Sequence, residues 1–183
     1  MKHCEPGRYD EPMPTSSAPG EDFVDHVRHQ WAAAYPDVDA EPIEVLGRIT
    51  RIGALALHQL DRALAGSGVS RVEFEILCAL ARSDRPLRAS EVTTATMTSG
   101  ASTTKHADRL ARVGLVERLP FERDGRVVLL HLTDAGRAVV DQEFPARVDR
   151  DRRMLEGLTS DEQATLAALL RRVAANLEPG GWH

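Results

Sequence analysis

Cysteine is nearly absent from this 183-residue chain, with only Cys4 and Cys78 present. Their spacing offers neither a disulfide framework nor a metal-ligand pair. Aromatic residues make up 4%, too few for the strands of a sandwich or barrel, and Ala, Leu, Val and Arg recur instead. No apolar run nears the ~20 residues that cross a bilayer, and MKHCEPGRYDEPMPTSSAPGEDF holds no secretory apolar stretch. A cytoplasmic protein with no membrane partner is therefore expected. Catalytic signatures are missing too: there is no phosphate-binding glycine loop, no Gly-x-Ser-x-Gly and no His-Glu-x-x-His. Neither an enzyme nor a cofactor is expected. His26 and His29 stand at i, i+3, but no third ligand accompanies them, so no metal site is expected.

What is present is ordinary in amount and uneven in placement. Hydrophobic residues at 42% and charged residues at 28% suit a globular chain with a sizeable core. The net charge of −5 at first disfavours a nucleic-acid partner. Its distribution removes the objection. Residues 1–47 hold ten acids against Lys2, Arg8 and Arg28, whereas residues 85–126 hold eight basic side chains against five acids. Phosphate contacts depend on the local field, so a locally basic segment in an acidic chain is compatible with DNA.

The pattern along the chain predicts helices. Pro6, Pro12, Pro14 and Pro19 among small polar residues mark 1–20 as a disordered tail. Phe23, Val24, Val27 and Trp31 predict a short helix over 21–35, closed by Pro36. A long helix is expected from Glu41 to Ala65, ended by Gly66-Ser67-Gly68. Ile43, Leu46, Ile49, Ile52, Leu55, Leu57, Leu60 and Leu64 give it a wider apolar face than one globular layer demands. Ser70 and Glu73 form a capping box for a helix to Arg82. A short helix over Ala89–Thr96 has Ser90 as its candidate cap, and Met97-Thr98-Ser99-Gly100 breaks the pattern. The next helix, Ala101–Val113, stops at Gly114. Two helices joined by a short glycine-containing turn make a helix-turn-helix candidate. The period then changes: Leu115–Leu119 and Val127–Leu132 read as strands, with Asp124-Gly125 as their hairpin turn. Thr133-Asp134 caps a helix to about Leu158, possessing Pro145, and Thr159-Ser160-Asp161-Glu162 caps the last one.

The Ala101–Val113 helix sets a polar, basic surface opposite Leu110 and Val113. Ser102, Thr103, Thr104, Lys105, His106 and Arg109 supply short hydroxyls for close approach to base edges and cations for guanine and phosphate. Thr98 and Ser99 precede the helix N-terminus, which favours phosphate. Arg123 and Arg126, at a loop tip, suit a narrow electronegative minor groove. A merely solvated helix face is the plain alternative for the helix, and a simple turn residue the alternative for Asp124.

Two motifs extend this reading. Glu122-Arg123-Asp124-Gly125-Arg126 is followed by Leu130-His131-Leu132-Thr133-Asp134-Ala135-Gly136-Arg137. Asp108-Arg109-Leu110 is followed by Gly114-Leu115-Val116-Glu117-Arg118. In combination they make the stretch from Ser70 to Gly136 resemble the MarR family of bacterial regulators. The resemblance implies a mainly α fold with a small β-hairpin wing: a winged helix-turn-helix DNA-binding lobe (70–133) plus a helical dimerisation region (41–66 and 134–178). It implies a homodimer on double-stranded DNA at a pseudo-palindromic operator, its recognition helices about one turn apart. Arg126 would enter the minor groove, with Asp124 orienting it or a neighbouring cation.

The added N-terminal helix with Trp31, and Met97-Thr98-Ser99-Gly100-Ala101, are similar to the PecS and urate-responsive branch of that family. The likeness implies a small-molecule effector (a urate-like purine, a phenolic or a carboxylate) bound by Trp31, Arg51, Glu75 and Arg82. The branch carries Asp where this chain has Glu75, and Asn-Arg where it has Lys105-His106. A structural role stands beside each: Trp31 as a staple for the added helix, Glu75 and Arg82 as surface groups. Two other classes are weighed. A thiol-based redox regulator needs an accessible thiolate, but Cys78 sits in the apolar run Ile76–Leu80 and Cys4 in the tail. A winged-helix interaction module without DNA binding would not need Arg123 and Arg126.

Overall fold

The computed structural model describes residues 20–121 and 124–177, which divide into two compact units at Leu57/His58. The expected tail over 1–20 lies outside the described residues except for Gly20. Among the described residues no helix is long and apolar enough to cross a membrane.

In the first unit, α1 (Phe23–Ala34) is capped by Asp22, whose side chain accepts from Val24 N and Asp25 N. Asp25 answers from the third helical position, so the box satisfies two otherwise orphan amides. The carboxylates of Asp22 and Asp25 also receive Arg48 of α2 (Pro42–Ala63), at 2.9 and 2.7 Å. Val24 is buried against Gly47, where an added Cβ would meet Val24 Cγ1 at 2.8 Å. Most of the long apolar face of α2 is uncovered: Val45, Leu46, Ile52, Leu55 and Leu57 are exposed.

The second unit holds the rest of α2, a 3-10 turn (Leu64–Gly66), α3 (Arg71–Ala81), β1 (Leu87–Arg88), α4 (Ala89–Thr96), α5 (Gly100–Arg112), β2 (Val116–Phe121), β3 (Asp124–Leu132), α6 (Asp134–Met154) and α7 (Ser160–Ala175). Its core draws on nearly every element: Leu60, Leu64, Phe74, Ile76, Leu77, Val92, Leu110, Val116, Leu130 and Val140 are buried together. The sheet is antiparallel in the order β1-β3-β2. Pro120, which lacks a ladder donor, is accommodated because β2 is an edge strand.

Two expectations are corrected and one element is added. The cap of α4 is Arg88, not Ser90, with Glu91 bonding back to the Arg88 amide at 2.7 Å. Asp124 and Gly125, expected as the hairpin turn, fall at the start of β3, and the register shifts between Pro120 and Phe121. Strand β1 was not foreseen. Two residues are too short to show a period, and β1 exists because Leu87 and Arg88 pair with Leu130 and Leu129.

Two glycines position the lobe. Gly114, at φ +75°, ends α5 in a Schellman turn: Leu115 N–H donates to Leu110 O, and Gly114 N–H to Ala111 O. Gly136 lies against the Leu115 carbonyl, and a Cβ there would stand 2.7 Å from Leu132 Cδ1. The glycine in the Thr133–Gly136 motif thus lets the first turn of α6 dock on the end of the α5–β2 loop. Thr133 locks the junction, donating to Gly114 O at 2.8 Å and accepting from Gly136 N at 3.0 Å.

Candidate nucleic-acid interface

Helix α5 has two faces with different duties. Thr103, Ala107 and Leu110 are buried, at the i, i+4, i+7 spacing of one helical stripe. On the other side Ala101, Lys105 and Arg112 are exposed and Asp108 half-exposed, again one stripe. Ser99 caps the helix, its Oγ accepting from Ser102 N at 3.2 Å. Thr104 spends its proton on Gly100 O at 3.0 Å and keeps acceptor lone pairs outward. Asp108 pairs with Arg118 of β2, tying the helix to the wing's first strand.

Not all of the six expected readers reach this surface. Thr103 is fully buried and is corrected from a DNA contact to an interior residue, since α5 must bury that stripe to join the core. His106 and Arg109 turn toward α3. There Glu73, 2% exposed, receives both: Arg109 Nη1 donates to its Oε2 at 2.6 Å and His106 Nδ1 lies 3.1 Å from its Oε1. Arg109 Nη2 donates to Gly68 O at 3.1 Å. Ser102, Thr104 and Lys105 remain on the open side.

Glu73 closes a capping box and anchors α5 at once. Burial pushes its carboxyl pKa upward, but the Ser70 amide at 2.8 Å, His106, the Ser70 side chain and Arg109 together hold it below the usual glutamate range. The carboxylate is therefore ionised and acceptor-only, which assigns the shared proton to His106 Nδ1. Sequence reasoning missed this second role because the capping box already accounted for Glu73. It also missed Arg112, although its position seven residues after Lys105 was the available signal.

The wing is described in part. Arg123 lies outside the described residues, and so do the side chains of Asp124 and Arg126. Nearby, the Arg88 guanidinium lies over the Phe121 ring at 4.9 Å, and Arg85 pairs with Glu91 at 2.6 Å. Thr98 and Ser99 stand at the turn between α4 and α5, where Met97 is left-handed at φ 53° and exposed.

The four expected effector residues divide between the units. In the first, Trp31 and Tyr35 are both half-exposed, ring centroids 5.4 Å apart, and Arg51 lies 3.9 Å over the Phe23 ring. In the second, Glu75 pairs with Arg71 at 3.2 Å, and Arg82 reaches the Ala95 carbonyl at 3.4 Å. Cys78 is half-buried. Burial pushes its thiol upward against the pull of Arg147 and Arg82, the opposite of what a redox thiolate needs.

Comparison with known proteins agrees with this geometry. A MarR family model matches residues 67–127. The HTH-type transcriptional regulator PecS of Dickeya dadantii is 33% identical over 84% of this chain and 94% of its own length. The crystal structure of Sco3205, a MarR family regulator from Streptomyces coelicolor in complex with DNA, is similar with a TM-score of 0.70. It shares 29% identity over 78% of this chain and 91% of that one. BpsR of Bordetella bronchiseptica, whose DNA binding is regulated by 6-hydroxynicotinic acid, gives a TM-score of 0.64 at 25% identity, over 72% of this chain and 98% of its own.

Proposed function

The chain belongs to the MarR family of DNA-binding transcriptional regulators, which are not enzymes, and from that premise we propose that it is a cytoplasmic repressor. It binds a pseudo-palindromic operator as a homodimer and is released by a small anionic or aromatic ligand. The observation that carries the reading is the open stripe of α5, where Lys105 and Arg112 stand exposed with Ser102 and Thr104 alongside. Residues 70–133 act as the DNA-binding lobe. Lys105, Ser102 and Thr104 meet base edges, Arg112 and the α5 N-terminus meet phosphates, and Arg126 reaches the minor groove.

Residues 41–66 and 134–178 form the dimerisation region. Support comes from apolar side chains that the chain leaves open: Leu46, Ile52 and Leu55 on α2, and Leu166, Leu169 and Leu170 on α7. Patches of that kind on a folded chain mark an interaction surface. The effector is an aromatic carboxylate, phenolic or purine. The analogy with BpsR, which responds to an aromatic acid, supports that class.

The test is a gel shift on the protein's own upstream DNA, challenged with purines, phenolic acids and carboxylates. A salt-sensitive shift that one ligand class abolishes is expected. Lys105→Ala and Arg126→Ala should each weaken operator binding by about 1–3 kcal/mol. An unaltered affinity in both variants at moderate salt sinks the assignment of α5 and the wing.

A further inference from the structure

Four threonine hydroxyls form a continuous chain between α4 and the first turn of α5. Thr96 Oγ1 lies 2.9 Å from Val92 O and 2.8 Å from Thr98 Oγ1. Thr98 Oγ1 lies 2.9 Å from Thr103 Oγ1. Thr103 Oγ1 in turn lies 2.9 Å from Thr93 Oγ1, which is also 2.9 Å from Ala89 O. Thr103 is fully buried, and the other three are half-buried.

Each hydroxyl has one proton to donate and two lone pairs. The two carbonyls can only accept, and four protons serve five contacts, so one contact goes without a proton in any arrangement. In one arrangement that uses every proton, Thr96 donates to Val92 O, Thr98 to Thr96, Thr103 to Thr98, and Thr93 to Ala89 O or Thr103 Oγ1. Thr103 is the hydroxyl chain's one member on α5, and Thr93, Thr96 and Thr98 belong to α4 and the turn.

We infer that Thr103 is a positioning residue for DNA recognition: its hydroxyl seats the first turn of α5 against α4 and thereby places Ser102 and Lys105 at the base edges. The inference rests on α5 being the recognition helix. The role belongs to the hydroxyl, because valine would fill nearly the same space. In Thr103→Val every remaining proton keeps an acceptor: Thr93 has Ala89 O, Thr98 has Thr96, and Thr96 has Val92 O. The tie is cut without orphaning a donor, so the fold survives.

The experiment measures the affinity of the full chain for its upstream operator and for a scrambled duplex of equal length, with a Tm for each variant. Thr103→Val should weaken operator binding about five- to twenty-fold, change scrambled-duplex binding less than about two-fold, and move Tm by no more than about 3 °C. Thr103→Ser should restore the operator-to-scrambled ratio. Thr96→Val, which removes the other hydroxyl partner of Thr98, should lower the ratio less. The inference is overturned if Thr103→Val keeps the wild-type ratio, or if Thr103→Ser is as defective as valine, which would make the methyl the active part. It is also overturned if both affinities fall together with Tm. Should Thr103→Val fail to fold, the ratio in Thr96→Val decides. Lys105→Ala runs alongside: wild-type operator affinity there rejects the reading of α5 itself, whereas a defect there with a normal Thr103→Val rejects only the positioning role.

Discussion

Helices α5 and α7 lie in the same compact unit and are both amphipathic, yet they differ in what covers their apolar side. Helix α5 sends Ala107 and Leu110 into a core built by α3, α4 and the sheet. Helix α7 has no buried residue at all: Leu169 is 50% exposed, Leu166 and Leu170 39% each. Both begin with well-formed caps, Ser99 for α5 and Thr159 for α7, so local signals do not separate them. The contrast separates an apolar stripe satisfied within one chain from one that is left open. The first makes a lobe that holds the proposed DNA-reading face in place. The second is the surface through which two such lobes are proposed to be held at operator spacing.

The largest effect expected from breaking this contrast lies on the uncovered side. Leu169→Glu should convert the proposed dimer to monomers, at a cost of about 3–6 kcal/mol for two copies of a buried leucine. Sedimentation would show the change in mass, and operator affinity should collapse with it. An unaltered mass would leave α7 with no role in assembly. Leu110→Ala probes the covered side. A cavity at a fully buried leucine costs about 2–5 kcal/mol, and because the lobe core lies within one chain, the loss should persist when protein concentration is varied in denaturant melts. A concentration-dependent loss would blur the distinction.

A smaller effect belongs to the clamp that aims α5. Glu73→Gln should cost about 1–3 kcal/mol and flatten the acid limb of the stability profile. Because the folded carboxyl titrates below its ordinary 4.5, its contribution is fully present above that pH and disappears as pH falls through the folded value. Wild type should therefore lose stability on acidification where the glutamine variant does not. Matching profiles from pH 7 to pH 3 would rule the clamp out. The smallest change is expected from Arg112→Ala. Loss of one phosphate contact should weaken binding about equally on all sequences and lower the salt slope by about one. A loss confined to the operator would make Arg112 a base reader.

The helices were legible because their periods and punctuation are local. Ser70 with Glu73, Thr133, Thr159 and Gly114 each act within a turn of where they stand, and the structure places the ends of α3, α6, α7 and α5 beside them. The wing was legible as two strands, since alternation and β-branching survive in isolation. Its first strand partner, Leu87–Arg88, was not, because two residues extend only when β3 is there to pair with them. The site was half legible. A helical wheel over α5 identifies a polar side, but it cannot say which polar residues are claimed by a neighbouring helix.

Sequence alone therefore determined the order of the helices and of the two wing strands, the family, and the presence of a basic helix followed by a wing, all of them properties written in short-range patterns. Tertiary structure alone decided that Thr103 is interior, that His106 and Arg109 face Glu73, and that Arg112 shares a stripe with Lys105. The physical reason is that a polar side chain's role depends on whether its hydrogen-bond partner is water, DNA or another helix, and only packing brings Glu73, more than thirty residues away in sequence, to within 3.1 Å of α5.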